Sequence, residues 1–128
     1  MTTLEAIKNE LEVIVTQEHL NWVVAVAPPA GYAGPCLAVV SWRLRPGETS
    51  SLSAYPLLEV ELEATGMDVT NAEGARRVFT RLADGGFTSD DFVAIRGRLE
   101  DFAVARDEGP RQERWTARAT VTFQVQEV

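Results

Sequence analysis

The sequence predicts one α+β domain over residues 1–128, with two helices packed on one face of a mainly antiparallel sheet of four to five strands. Two observations support this prediction. Apolar and polar residues alternate strictly over residues 55–65 and again over residues 115–125, which is typical of strands with one buried and one solvated face. Two further stretches repeat apolar residues at helical spacing, and their apolar sides match the buried face of such a sheet.

The first helix is predicted over residues 4–15. Its apolar side is formed by residues at helical spacing, namely Leu4, Ile7, Leu11 and Ile14. Thr2, followed by Glu5 three residues later, resembles a capping box and marks the start of the helix. From this helix onward, the predicted element order along the chain is α-β-β-β-α-β-β.

Two strands are predicted between this helix and the alternating strand at residues 55–65. The first covers residues 22–27, and the second covers residues 36–45, whose continuous apolar start indicates burial on both faces. A loop rich in proline and glycine at residues 28–35 separates them, because proline lacks the N–H that a sheet needs. A polar connection at residues 46–54 leads to the alternating strand, which is expected to pair antiparallel with its predecessor.

The second helix is predicted over residues 71–82, after a turn at residues 66–69. Thr70 and Glu73 form a second capping-box pattern at its start. Its apolar side comprises Ala72, Ala75, Val78, Phe79 and Leu82. Two glycines follow Asp84, and the first of them is the expected helix cap in the left-handed conformation.

The last part of the chain is predicted to form a hairpin. Residues 92–105 make one long strand or two short ones, and Gly97 within them predicts a bulge. A charged tip at residues 106–113 then turns the chain into the closing strand at residues 115–125. That strand alternates as regularly as the one at residues 55–65, so both are expected in the same sheet.

Composition and motifs exclude several classes of function. The net charge of −7 opposes a protein that grips nucleic-acid phosphates through a general positive field. The apolar runs are far shorter than the about 20 residues that span a bilayer, and no signal-peptide pattern is present. The single cysteine, Cys36, and the single histidine, His19, have no partners at the spacing of a metal site. Without a nucleotide-binding motif either, the sequence predicts no cofactor, no metal and no enzyme.

Three glutamates form an acidic row on the solvated side of the central alternating strand: Glu59, Glu61 and Glu63. Alternate residues of a strand lie about 7 Å apart, so these charges repel mildly. One interpretation is a solvated sheet face on which Arg118 and Thr120 of a neighbouring strand relieve the repulsion. The other interpretation is an acidic surface that serves a function.

A basic cluster lies on the exposed side of the second helix and comprises Arg76, Arg77 and Arg81. A solvated surface is the favoured interpretation, and a subunit contact is the alternative. The loops that project beyond the sheet are either plain surface loops or arms that contact neighbouring copies. Candidate contact residues in or beside these loops are Tyr32, Arg111 and Arg114.

Four features together span nearly the whole chain. They are an amphipathic helix that begins at Leu4, a Pro/Gly-rich loop before the apolar strand at residues 36–44, the alternating strand at residues 57–63 with the helix at residues 71–82 close behind it, and the closing strand at residues 114–125. In this arrangement the chain resembles the tail terminator, or tail completion, proteins of long-tailed phages. The resemblance is one of pattern, since no catalytic or invariant motif contributes to it.

The resemblance implies a structural protein of the virion tail or neck, assembled in the host cytoplasm. Members form homo-oligomeric rings, usually hexamers, that sit on the last ring of tail tube protein, stop tube polymerisation and offer a docking face to the head-side connector or neck protein. DNA passes through the lumen without sequence-specific binding, and no membrane is involved. An acidic lining would repel DNA phosphates, which makes Glu59, Glu61 and Glu63 the candidate lumen residues. Replacing all three by lysine is expected to slow genome passage without preventing ring formation.

Three other functions stay open from the sequence. A neck or head-completion protein would act one layer nearer the head and would not cap purified tail tubes. A small non-enzymatic α+β binding domain would need polar groups converging in a pocket, and the alternating strands place almost none among their apolar residues. An enzyme is least favoured, because one histidine and one cysteine leave little from which to build a catalytic site.

Overall fold

The computed structural model describes residues 1–26, 34–45, 55–106 and 114–128. Its elements are α1 (Thr3–Gln17), β1 (Val23–Ala25), β2 (Cys36–Arg45), β3 (Leu57–Met67), α2 (Val69–Gly85), β4 (Phe92–Arg106) and β5 (Trp115–Glu127). The predicted α+β class and element order are confirmed. Most of the loop predicted at residues 28–35, the connection at residues 46–54 and nearly all of the tip at residues 106–113 lie outside the described residues.

The five strands form one sheet in the order β1-β2-β3-β5-β4. All neighbours are antiparallel except β1 and β2, which pair in parallel from Val23 opposite Cys36. The predicted antiparallel pairing of β2 with β3 is confirmed. The two alternating strands, β3 and β5, lie side by side, with Val60 opposite Val121. Their apolar residues therefore project from the same face of the sheet.

Both helices pack on that apolar face and share a single core with it. Leu58, Val60 and Leu62 of β3 are at most 1% exposed. Phe79 of α2 and Leu11 of α1 are fully buried in the same cluster. Burying a side chain of this size stabilises the fold by roughly 1.5–3 kcal/mol, so the shared core is what holds the helices to the sheet. The first four residues of β2 are buried, as their continuous apolar character predicts.

The helix caps follow the prediction in α1 and differ from it in α2. The Thr2 hydroxyl accepts a hydrogen bond from the Glu5 N–H at 3.2 Å, so the predicted cap of α1 is confirmed. The predicted Thr70 cap of α2 is wrong. Because β3 runs on to Met67, the helix begins directly after Asp68, whose carboxylate accepts the Asn71 N–H at 2.7 Å. An aspartate there also meets the positive end of the helix dipole.

Two glycines of the second half have roles different from those predicted. The helix α2 continues through Gly85, and it is Gly86 that has a positive φ, of 65°. Gly97 is not at a bulge, because the register of β4 shifts between Ala94 and Arg96 and again between Glu100 and Ala103. Gly97 instead lies where β4 closely approaches α2: an added Cβ would lie 2.4 Å from the Ala83 carbonyl oxygen.

No helix in the described part of the chain is both long enough and apolar enough to cross a membrane.

Candidate functional site

The face of the sheet opposite the helices, here called the outer face, carries the acidic row. Residues directly opposite each other in antiparallel strands point to the same side, so the register defines rows that cross β2, β3, β5 and β4. The first row is Arg45, Leu57, Gln124 and Arg96, and the second is Arg43, Glu59, Thr122 and Arg98. The third row is Ser41, Glu61, Thr120 and Glu100, and the fourth is Ala38, Glu63, Arg118 and Ala103.

Glu59 is the most enclosed of the three glutamates in the acidic row. Its carboxylate accepts Nε of Arg43 at 2.6 Å and Nη2 of Arg45 at 2.8 Å. The Glu59 side chain is only 14% exposed, whereas that of Arg43 is 72% exposed. What solvent or a partner meets at this position is therefore arginine rather than glutamate.

Glu63 and Glu61 differ in how they are compensated. Nε of Arg118 lies 3.2 Å from the Glu63 carboxylate, which is the cross-strand relief that the sequence suggested. Glu61 is exposed, lies opposite Thr120 and makes no ion pair with any described residue. Of the acidic row, Glu61 is thus the residue that presents its full charge to solvent.

A fourth acid, Glu100 of β4, joins the outer face and holds a small network. Arg98 donates to its Oε1, and the largely buried Thr122 hydroxyl donates to Oε2 at 3.1 Å. The hydrogen bond from Arg98 lowers the pKa of Glu100, the bond from Thr122 acts in the same direction, and partial burial opposes both. Glu100 is accordingly a fixed anion at neutral pH.

Charge is separated along the strands of the outer face. The first two rows hold four arginines and one glutamate and are called the basic half: Arg43, Arg45, Arg96, Arg98 and Glu59. The next two rows hold three glutamates and one arginine and are called the acidic half: Glu61, Glu63, Glu100 and Arg118. The outer face is therefore polarised, although the row of glutamates alone suggested that it is uniformly acidic.

A groove of about 590 Å³ lies over the basic half. It is lined by Arg45, Leu57, Arg96, Gly97, Arg98, Glu100, Thr122 and Gln124. Gly97 lies in the groove wall between two of its arginines. The strand β4 is drawn toward α2 at this glycine, and because neighbouring strand residues point to opposite faces, Arg96 and Arg98 both project from the outer face.

The basic cluster of α2 is engaged within the domain. Nε of Arg77 and Nη1 of Arg81 each lie 3.1 Å from the same carboxylate oxygen of Glu18, just past the end of α1. Arg81 also donates to Gln17. The guanidinium of Arg76 lies 5.8 Å from the centre of the Phe102 ring. These contacts tie α2 to α1 and to β4, and a subunit contact by the same arginines stays a prediction.

Of the remaining predicted contact residues, the structure describes only Arg114. Arg114 is half-buried just before β5. Tyr32 and Arg111 lie outside the described residues. Their assignment as partner contacts therefore stays a prediction.

The two residues weighed for catalysis, Cys36 and His19, do not line the outer-face groove. Cys36 is 1% exposed, and burial raises the pKa of its thiol. His19 follows α1 with a positive φ of 57°. Within the described ranges, no group of three or more histidine, cysteine, aspartate and glutamate side chains is placed to hold a metal ion.

The arginines of the basic half are the residues that sequence reasoning missed. They come from strands far apart in the sequence, and only the register brings them together. A partial signal existed in β2, where Ser41 and Arg43 alternate with apolar residues. In β4 the alternation is interrupted by the register shift before Arg96, so the sequence pattern does not predict from which face of the sheet Arg96 projects.

No family model matches the chain, and no curated protein matches it in sequence. Among solved structures, the chain is similar to one chain of the "Virion of native gene transfer agent (GTA) particle". The TM-score is 0.69 at 13% sequence identity, and the match covers 99% of this chain and 96% of that chain. At this identity the likeness is one of fold, and it extends from one end of the domain to the other.

Proposed function

We propose that this chain is a structural protein of a tailed phage-like virion, and that it forms a ring that caps the tail tube. The observation that carries the proposal is the likeness of fold to a chain of a gene transfer agent virion at a TM-score of 0.69. Since the likeness covers 99% of one chain and 96% of the other, the whole domain is shared rather than a common substructure. The pattern resemblance to tail terminator proteins supports the more specific role.

The surfaces of the domain suit a closed ring. Such a ring requires two different lateral surfaces on every subunit, because the contacts run head to tail. One side of the sheet ends in β1, which covers only residues 36–38 of β2, and the other ends in the 15-residue strand β4. Beyond β1, Trp42 and Leu44 are each 40% exposed. These unlike edges offer the heterologous surfaces that a ring needs.

In this proposal the ring ends tube polymerisation, docks the head-side connector and lets DNA pass through its lumen. Glu61 is the candidate lumen residue with the strongest physical support, because it is exposed and makes no ion pair with any described residue. A carboxylate in that state repels phosphate, whereas Glu59 is largely neutralised by Arg43 and Arg45.

Mixing the purified protein with tail tubes of the same particle tests the capping role. Light scattering of the protein alone gives its assembly state, and electron microscopy of tubes growing with and without it gives tube length and end structure. We expect added density at one tube end and arrested growth. Unchanged growth with bare ends contradicts the proposal. Binding to the head-side connector without binding to tubes favours a neck protein instead.

The lumen assignment is tested separately with the variant Glu61→Lys. Glu73→Lys is the matched control, because Glu73 is an exposed glutamate of α2 on the other side of the domain. Both variants are expected to form rings, and only Glu61→Lys is expected to reduce DNA delivery by assembled particles. Equal delivery by the two variants refutes a lumen position for Glu61.

A further inference from the structure

The groove over the basic half is bounded by arginines on both sides of the sheet. Arg45 of β2 and Arg96 of β4 end the first row, and the neutral residues Leu57 and Gln124 lie between them. Three strand spacings separate the two arginines, which is roughly 14 Å at the backbone. An extended chain laid across the strands can contact both of them.

The basic half also keeps positive charge in excess after the ion pairs of its arginines are counted, including the pair with Glu100 of the acidic half. Arg43 and Arg45 share Glu59, and Arg98 pairs with Glu100. Four arginines thus face two carboxylates. Arg96 is exposed and makes no ion pair with any described residue. Guanidinium groups bind carboxylates in a planar, two-point geometry, so Arg96 is available for an external carboxylate.

We propose that this groove binds an acidic peptide segment of a partner protein in the particle. An extended segment rises about 3.3 Å per residue, so two acidic side chains about four residues apart match the separation of Arg45 and Arg96. Leu57 and Gln124 provide a floor that can contact the peptide between them. The partner being another virion protein rests on the proposed function, whereas the preference for acidic peptide rests on the groove alone.

The surroundings of the groove favour a short acidic segment over nucleic acid. Successive rows lie about 7 Å apart along the strands, so the acidic half begins directly beside the groove. A DNA backbone laid across the basic half would meet Glu61 and Glu63 within two rows. The net charge of −7 adds a general repulsion of long polyanions. A short acidic peptide confined to the first two rows stays clear of Glu61 and Glu63, and it carries fewer charges for the domain to repel than a long polyanion does.

Fluorescence anisotropy with the full chain tests this assignment. The probes are a labelled polyglutamate peptide of about eight residues, a polyglutamine peptide of equal length and a short labelled DNA duplex. We expect saturable binding of polyglutamate that weakens with salt, and no comparable binding of the other two. Arg96→Gln should weaken polyglutamate binding about tenfold, the loss expected for a charge-assisted hydrogen bond.

Arg118→Gln is the matched control, because Arg118 is also an exposed arginine of the outer face but belongs to the acidic half. Arg118→Gln should leave the affinity for polyglutamate within about twofold of the wild-type value. Equal losses in the two variants, tighter binding of DNA than of polyglutamate, or no polyglutamate binding each overturn the proposal. The ring proposal is tested independently. If the protein caps tubes but does not bind the peptide, only the groove proposal is refuted. If it binds the peptide but does not cap tubes, only the ring proposal is refuted.

Discussion

Replacing Gly97 by alanine tests the close contact between β4 and α2. The new Cβ would lie 2.4 Å from the Ala83 carbonyl oxygen and 2.8 Å from two ring carbons of Phe123. Favourable contacts between non-bonded carbon atoms lie at about 3.5–4.0 Å. The Ala83 oxygen belongs to the backbone and Phe123 is fully buried, so neither neighbour can rotate away. The strand or the helix must therefore move.

Overpacking of a core typically costs about 1–3 kcal/mol, and the backbone clash puts this variant at the upper end. We expect the free energy of unfolding of Gly97→Ala to fall by about 3 kcal/mol. For a domain of this size, that loss lowers the Tm by roughly 10 °C. Urea denaturation followed by circular dichroism measures the change in free energy, and a thermal scan measures the Tm.

Gly74→Ala is the matched control, since a Cβ at Gly74 of α2 meets no atom within 4 Å. Alanine inside a helix is favoured over glycine by about 0.5–1 kcal/mol, so this variant should be more stable than the wild type. The two substitutions are therefore expected to have opposite signs. If the free energy of unfolding of Gly97→Ala lies within about 0.5 kcal/mol of the wild-type value, the close approach of β4 to α2 is wrong.

Three further predictions concern a cap, a carboxylate and a thiol. Asp68→Ala should lower the free energy of unfolding by about 1 kcal/mol through loss of the α2 cap, while Thr70→Ala should change it by less than about 0.5 kcal/mol; equal losses in denaturant would contradict the cap assignment. Because Arg98 holds the pKa of Glu100 below its usual range, that carboxylate stabilises the fold above the unfolded pKa of about 4.3, and the contribution is lost as the pH falls through the lower folded pKa. The stability advantage of the wild type over Glu100→Gln, measured by urea denaturation, should therefore shrink below about pH 4, and a difference independent of pH would refute this linkage. Cys36, buried and with a raised pKa, should react with a thiol reagent only as fast as the domain opens, so rapid labelling of the native protein would show that it is accessible.

The long periodic segments were predictable because many residues in each of them follow the same period and therefore support the same assignment. The alternation in β3 and β5 identifies both the strands and the faces that they bury. The helix ends were less predictable, because neighbouring residues compete for one role. Asp68 and Thr70 are both good caps, and the choice between them follows from where β3 ends. Likewise, either glycine after Asp84 suits a left-handed cap, and the structure uses Gly86.

The candidate site was only half predictable, for a reason that lies in the register. The glutamates of β3 sit in one regular strand, so their common side follows from the sequence. The face from which Arg96 projects does not follow from the sequence. Counted regularly from the inward-facing Ala94, Arg96 would point to the core, but the extra residue Ile95 shifts the register and turns it outward. Pairing between distant strands then places it in one row with Arg45.

The position of β5 has a consequence for when the outer face is completed during synthesis of the chain. It is the last of the five described strands in sequence order, yet it lies inside the sheet between β3 and β4. A nascent chain on the ribosome therefore holds β3 and β4 as separate pieces, and no part of the polarised surface that spans them exists. Insertion of β5 completes that surface in one step. A chain that stops before β5 therefore lacks the continuous surface that runs from β3 to β4.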